Sequence, residues 1–259
     1  MMKFVALFLL AVCSPFQGAA FSYEHISDGP FISIHVLIVN PSEHTILPVK
    51  ALGRETALEL AKQHGAQAAV NGGFWKPDGT PAGALKIDHE WLGFPTKPRG
   101  AIGWSAAHQP FIDQILTEGT EVTPTSGYTS FEQWQDLKHI VGGTPVLVRD
   151  GHLIEDFSSE QTRESFLVRK HPRTAVGIRE DGDWVFVVVD GRFHGLFGGM
   201  TMQELAAWML DLECVEALNL DGGGSSTMVI EGHVVNTPCG QEEEEGKWVT
   251  AVSDAILIF

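Results

Sequence analysis

The chain has 259 residues and a formal charge of −16 at neutral pH, from 33 acidic and 17 basic side chains. That length suits one large domain or two small ones, and so acidic a surface is a poor non-specific partner for nucleic acid or anionic lipid. It does not exclude an anionic substrate, because a few arginines can build a local positive pocket. The three cysteines give neither a disulfide framework nor a cysteine-based zinc pattern.

Met1 to Ala20 reads as a secretory signal. Lys3 is its one charge, Phe4 to Val12 is apolar, and Gly18-Ala19-Ala20 offers a small-residue cleavage site. The apolar run is too short for a membrane span, and no other stretch is long enough. A secreted or periplasmic protein is expected, with one mature domain at 21–259. Val12 stands where a lipobox needs a small residue, which argues against lipid attachment at Cys13. Cys214 and Cys239 are then free to pair in an oxidising compartment.

Phe31 to Val39 alternates and is β-branched, so it predicts a strand. Glu55 to His64 carries Ala57, Leu58, Leu60 and Ala61 at helical spacing, with Gly65 as a stop. Ala66 to Val70 is a short strand that closes on Asn71-Gly72-Gly73-Phe74-Trp75, either a hairpin turn or a site edge. Phe74 and Trp75 are core side chains or an apolar platform for a sugar ring. Arg99-Gly100-Ala101-Ile102-Gly103 echoes Arg173-Thr174-Ala175-Val176-Gly177, each some thirty residues after a Gly-Gly pair, as in a pseudo-repeat. Phe131 to His139 predicts a short helix and Thr144 to Val148 a strand. Asp156 to His171 is polar, a solvated loop or a flap.

Trp184 to Val189 is a near-continuous apolar run, the mark of a central strand, and ends at Asp190-Gly191-Arg192. Phe193 and Phe197 follow in a glycine-rich segment. Thr201-Met202-Gln203-Glu204 is a capping box opening a helix. Val215 to Leu220 is a strand that runs into Asp221-Gly222-Gly223-Gly224-Ser225-Ser226-Thr227. Met228 to Ile230 and His233 to Val235 read as a hairpin. Asn236 to Lys247 reads as a loop with a solvated glutamate cluster, and Val249 to Phe259 as the last strand. The fold class expected is α+β: mixed, largely antiparallel sheets with flanking helices.

Three strand ends, at Asn71, Asp190 and Asp221, thus set polar residues beside glycines. Ligand sites in open sheets favour strand carboxyl ends. Convergence of these ends would gather two carboxylates, an amide, Arg192, Arg173 and the Ser225 and Ser226 hydroxyls. The backbone N–H groups of the glycine turn offer an anion nest. Arginine forks suit phosphate, and carboxylates suit acid–base work at a sugar. The eleven histidines show no metal-binding spacing. No G-x-S-x-G elbow is present. Asp221 either acts at the anomeric centre, holds Arg192, or caps its own turn.

From about Val70 onward the chain resembles the phosphodiester glycosidase family. That family includes bacterial exopolysaccharide-biosynthesis-like proteins and the catalytic domain of the lysosomal uncovering enzyme. Asn71-Gly72-Gly73-Phe74, Arg173 to Gly177, Val189 to Arg192, Gly199-Met200-Thr201 and Asn219 to Met228 carry the resemblance, in the family's order. It implies hydrolysis of the bond between a sugar's anomeric carbon and a phosphodiester oxygen, in a surface or extracellular glycopolymer or glycoconjugate resembling N-acetylglucosamine-1-phosphodiester. It implies catalytic roles for Asp221, Asp190 and Asn71. Substrate contacts are implied for Arg173, Thr174, Arg192, Gly222, Gly223, Gly224, Ser225, Ser226 and Phe74. No cofactor is assigned, and a structural calcium ion is a candidate. The expected partner is a phosphodiester-linked glycan, with no nucleic acid and no membrane span. Thr250 stands where the family usually has an arginine. A glycopolymer-binding protein of the same fold, or a phosphohydrolase cutting the P–O bond, is the alternative.

Overall fold

The computed structural model describes residues 21–28, 32–105, 108–192 and 198–259. The signal segment, Phe193 and Phe197 lie outside the described residues. Three sheets dominate. The seven-stranded one runs Phe21–Asp28, Ile32–Val39, Trp184–Val189, Arg173–Arg179, Cys214–Asn219, Val146–Arg149, His152–Leu153. The six-stranded one is built from residues between Leu85 and Gly142. The five-stranded one runs His233–Val234, Met228–Ile230, Ala68–Asn71, Val252–Ile258, Ile46–Glu55. Their ladders are antiparallel, and parallel pairing among the described residues is confined to one isolated bridge, Cys239 with Trp248. The α+β class is therefore as expected.

One face of each sheet turns into a shared core. Leu37, Val176 and Phe186 come from the first sheet, Ile102 and Val141 from the second, Val70 and Ile256 from the third. The opposite faces are covered by helices. Met202–Asp211 buries Met202, Leu205, Ala206 and Met209 against the seven-stranded sheet. Ala57–His64 buries Leu58 and Leu60 on the five-stranded sheet. Phe131–Gln135 inserts Trp134 under the six-stranded sheet. Both longer helices start on a capping box, Thr201 with Glu204 and Thr56 with Glu59.

Some expectations need correction. Phe131 to His139 is not one helix: the helix stops at Gln135, and His139–Gly142 is a buried strand. Asn236 to Lys247 is not all loop, since Glu242–Glu244 pairs with Lys247–Val249 in a two-stranded ribbon. Asp156 to His171 is largely exposed, as expected of a solvated segment, but it carries two short helical turns and is anchored. Glu160 in it is buried and accepts from Gly100 N at 2.8 Å and Val146 N at 2.7 Å, pinning the segment to two sheets. Cys214 and Cys239 are both unpaired. Cys214 packs beside Gly177, whereas Cys239 sits beside Gly223.

Candidate active site

Antiparallel topology explains why the strand ends meet. In the seven-stranded sheet, Arg173–Arg179 lies between Trp184–Val189 and Cys214–Asn219 and runs opposite to both. Its first residue, Arg173, therefore shares a sheet edge with Asp190 and Asp221, which follow its two neighbours. The five-stranded sheet repeats the device: the end of Ala68–Asn71 lies between the beginnings of Met228–Ile230 and Val252–Ile258. The rule for open parallel sheets is not what gathers these residues. The two edges are joined where Asp221 N donates to Gly72 O at 3.2 Å.

Asn71 makes that joint. Its Nδ2 donates to Asp221 O at 2.8 Å, and its Oδ1 accepts from Thr174 Oγ1 at 2.7 Å and Thr227 N at 3.1 Å. Asn71 and Thr174 are fully buried, so their polar atoms serve the frame. Asp190 is similarly engaged. Oδ2 accepts from Ser33 Oγ at 2.8 Å and His35 Nε2 at 3.1 Å, and Oδ1 accepts from Asn236 Nδ2 at 3.0 Å and Thr237 N at 2.9 Å. Burial raises its pKa, but these bonds outweigh burial and hold it below the usual carboxylate value. Asn236 also donates to Ser226 O at 3.0 Å, so Asp190 fixes the glycine turn from behind.

The turn is a short 3-10 segment, Gly223–Ser225. It is not an open anion nest. Gly222 N donates to Asp221 Oδ1 at 2.9 Å, Gly223 N to Pro172 O at 2.9 Å, and Ser225 N and Ser226 N to carbonyls of the turn itself. Gly223 has φ +66°, and a Cβ there would lie 3.0 Å from the Arg192 guanidinium. The turn's glycines thus let an arginine, rather than an anion alone, close against the backbone. A Cβ on Gly224 would lie 2.9 Å from Thr250 Oγ1, which places Thr250 against the turn.

The cations gather on one side. Arg173 is buried; its Nε donates to Met200 O at 2.8 Å, and Nη2 to Phe166 O at 2.8 Å and Arg169 O at 2.9 Å. Its guanidinium lies 4.8 Å from the Phe166 ring centre. Burial, then the charge of Arg192, lowers its pKa to about 10. Arg192 is exposed, has φ 54°, and lies 3.5 Å from His171 Nδ1. Among the described residues neither arginine has a carboxylate partner. Burial and the charges of Arg173, Arg192 and Arg169 depress the His171 pKa. Two like charges on one side of the turn, the outer one on the exposed Arg192, suit an anion.

Asp221 opens the same glycine turn, its Oδ1 accepting from Gly222 N. Burial raises its pKa to about 6 against the opposing effects of the Ser225 hydroxyl, the Gly222 N–H and the Trp75 indole. The Trp75 N–H is buried and has no bond of good geometry, as do Ser226 Oγ, Thr227 Oγ1 and Asn219 Oδ1. Phe74 is half-buried and meets Phe166 edge-on at 6.0 Å. Among the described residues no three His, Cys, Asp or Glu side chains cluster as metal ligands. A separate cavity of about 510 Å³, lined by Phe157, Leu167, Thr201 and Gln203 among others, contains none of the candidate residues.

One carboxyl that sequence reasoning missed belongs here. Asp254, 1% exposed, accepts from Gly73 N at 2.8 Å, and a Cβ on Gly72 would overlap its Oδ2. It lies in a strand that is apolar apart from Ser253, with no glycine beside it. A lone charge in such a run was the available signal.

The profile described as phosphodiester glycosidase matches residues 64–259. The chain is 31% identical over 187 residues to the uncharacterised SPβ prophage-derived protein YomE of Bacillus subtilis, covering 71% of this chain and 27% of that protein. It is 30% identical over 198 residues to bovine N-acetylglucosamine-1-phosphodiester alpha-N-acetylglucosaminidase, covering 71% of this chain and 35% of the relative. The chain thus spans about a third of these relatives' length. Its fold matches the zebrafish catalytic domain of that name, auto-inhibited by its pro-peptide, with a TM-score of 0.70 at 20% identity over 96% of this chain and 86% of that one. A hypothetical protein from Synechocystis matches with a TM-score of 0.71 at 17% identity, covering 92% of this chain and 61% of that one. On the extent of the profile match and of these sequence identities, the chain belongs to the phosphodiester glycosidase family.

Proposed function

We propose that the protein hydrolyses a sugar-1-phosphodiester at the glycosidic C–O bond, releasing the sugar and leaving a phosphomonoester. The observation that carries this reading is the pairing of two arginines lacking a counter-ion with a carboxyl of raised pKa, across one glycine turn. Arg192 would contact the phosphate, with the buried charge of Arg173 behind it, and together they would take up the charge that develops on the leaving oxygen. A phosphomonoester is a good leaving group and needs little help from an acid. The group in demand is a base for the incoming water, and burial makes Asp221 a stronger base than a solvated aspartate. Asn71 and Asp190 would position the two turns, and Phe74 with Trp75 would offer faces to the sugar. The names of the relatives support N-acetylglucosamine as the sugar, and a surface or extracellular glycan as its source fits the signal-like leader.

The test is turnover of N-acetylglucosamine-1-phosphomethyl diester, read as free reducing sugar. Asp221→Asn should lower kcat by at least the ~10²-fold typical of acid–base groups, with Tm maintained. Full activity in that variant would end the proposed role. Tight binding of the diester without turnover would favour a binding protein, for which Thr250 in the family's arginine position is the one supporting observation.

A further inference from the structure

At its site edge the five-stranded sheet slips in register. Asp254 stands opposite Lys50 and Val252 opposite Glu55, so Ala51 to Arg54 face Ser253 alone. Bulges of this kind re-aim side chains and are frequent beside active sites. This one is tied down: Lys50 Nζ donates to Ala51 O at 2.8 Å and to Gly53 O at 3.3 Å. The turn after Trp75 packs on it, and a Cβ on Gly79 would lie 2.5 Å from Gly53 O. Arg54 is thereby held with its guanidinium 4.9 Å from the Trp75 ring centre. Trp75 in turn follows the Gly72-Gly73 pair, where Gly72 O accepts from Asp221 N and Gly73 N donates to Asp254.

Arg54 is exposed and, like Lys76 on the packed turn, has no carboxylate partner among the described residues. The acids beside them are engaged: Glu55 with the Leu52 N–H and the Gln63 amide, Asp78 with Thr80. In a chain of charge −16, two unpaired cations beside one site are a local exception. A guanidinium held against an indole keeps its N–H edge for a phosphate or carboxylate. Arg192 follows a strand of the seven-stranded sheet and Arg54 belongs to the five-stranded one, so the two charges approach the joint at Gly72 from different sheets. Arg54 also precedes residues 64–259, so the family match alone does not assign it.

We propose that Arg54, presented by the Ala51–Arg54 bulge against Trp75, is a specificity-determining contact for a second oxyanion of the substrate, outside the scissile phosphodiester. That group is carried by the sugar or by the acceptor beyond the phosphate. The proposal rests on the reading of the site as one for a sugar-1-phosphodiester, and narrows the substrate class to glycans bearing more than one negative charge.

Calorimetric binding to the Asp221→Asn protein tests this without turnover. Three probes are compared: N-acetylglucosamine-1-phosphomethyl diester, the same diester with a phosphate on the sugar O6, and the diester with a 2-phosphoethyl group in place of methyl. The last two separate a sugar-borne anion from an acceptor-borne one. One of them should bind roughly 10- to 100-fold more tightly than the methyl diester, the range for a charge-assisted contact. Adding Arg54→Gln should abolish that difference and leave both Tm and the Kd of the methyl diester unchanged. No preference among the probes, or a preference that survives Arg54→Gln, overturns the proposal. A preference lost in Arg54→Gln, beside a wild-type protein that turns over none of the probes, would retain the second anion contact and reject the glycosidase reading instead.

Discussion

Arg173 and Arg192 have different local costs although both are assigned to the phosphate. Arg192 is exposed and held by little but the turn, so Arg192→Ala should fold normally. Loss of a charge-assisted contact is worth about 1.5–3 kcal/mol, which predicts a KM raised roughly 10- to 100-fold at an unchanged Tm. Arg173 also satisfies three carbonyls, of Met200, Phe166 and Arg169. Arg173→Ala should therefore lower both Tm and catalytic efficiency. Steady-state kinetics beside thermal melts separate the two; an Arg192→Ala enzyme with wild-type KM would take the phosphate away from Arg192. Arg192 was readable because it follows a strand end and a glycine. Asp254 was not, because its partner Gly73 is 181 positions away and meets it only through sheet topology.

The segment from Asp156 to His171 acts as a wall between elements. Glu160 holds it to the Arg99–Ser105 and Val146–Arg149 strands, and Phe166 carries it onto Phe74 and Arg173. Glu160→Ala leaves two buried backbone donors without partners, each worth about 1–3 kcal/mol. The variant should lose Tm, be cleaved by protease within the segment, and bind substrate more weakly as the Arg173 support loosens. Protease resistance equal to wild type would show that Glu160 does not hold the wall. Local chemistry made some elements legible: the Thr201–Glu204 capping box and the Trp184–Val189 run need no tertiary information. The strand Ile46–Glu55 was hidden because Pro48, Lys50 and Arg54 break its alternation and Leu52 is 95% exposed. The convergence of Asn71, Asp190 and Asp221 was legible as a pattern of polar strand ends, but the antiparallel arrangement that produces it was not.

For the molecule as a whole, the site should oppose stability at neutral pH. A carboxyl whose folded pKa is raised from 3.8 to about 6 binds more protons folded than unfolded between those values. Stability contributed by Asp221 and Asp254 therefore falls as pH rises through that window, and the deficit is complete above it. Asp190, held below its usual value, acts in the opposite sense: its contribution is present above the unfolded pKa and is lost as pH falls through the folded one. Urea unfolding should show Asp221→Asn gaining on wild type by roughly 1–3 kcal/mol between pH 4 and pH 7. A stability difference independent of pH would contradict the raised carboxyl pKa of Asp221.

The central claim is that water attacks the anomeric carbon, not phosphorus. Hydrolysis of N-acetylglucosamine-1-phosphomethyl diester in oxygen-18 water, followed by phosphorus NMR of the released methyl phosphate, reads this directly. The proposed roles, arginine charge on the leaving phosphate and Asp221 on the water, predict methyl phosphate free of the heavy isotope. Methyl phosphate carrying oxygen-18 would mean P–O cleavage and would contradict the account.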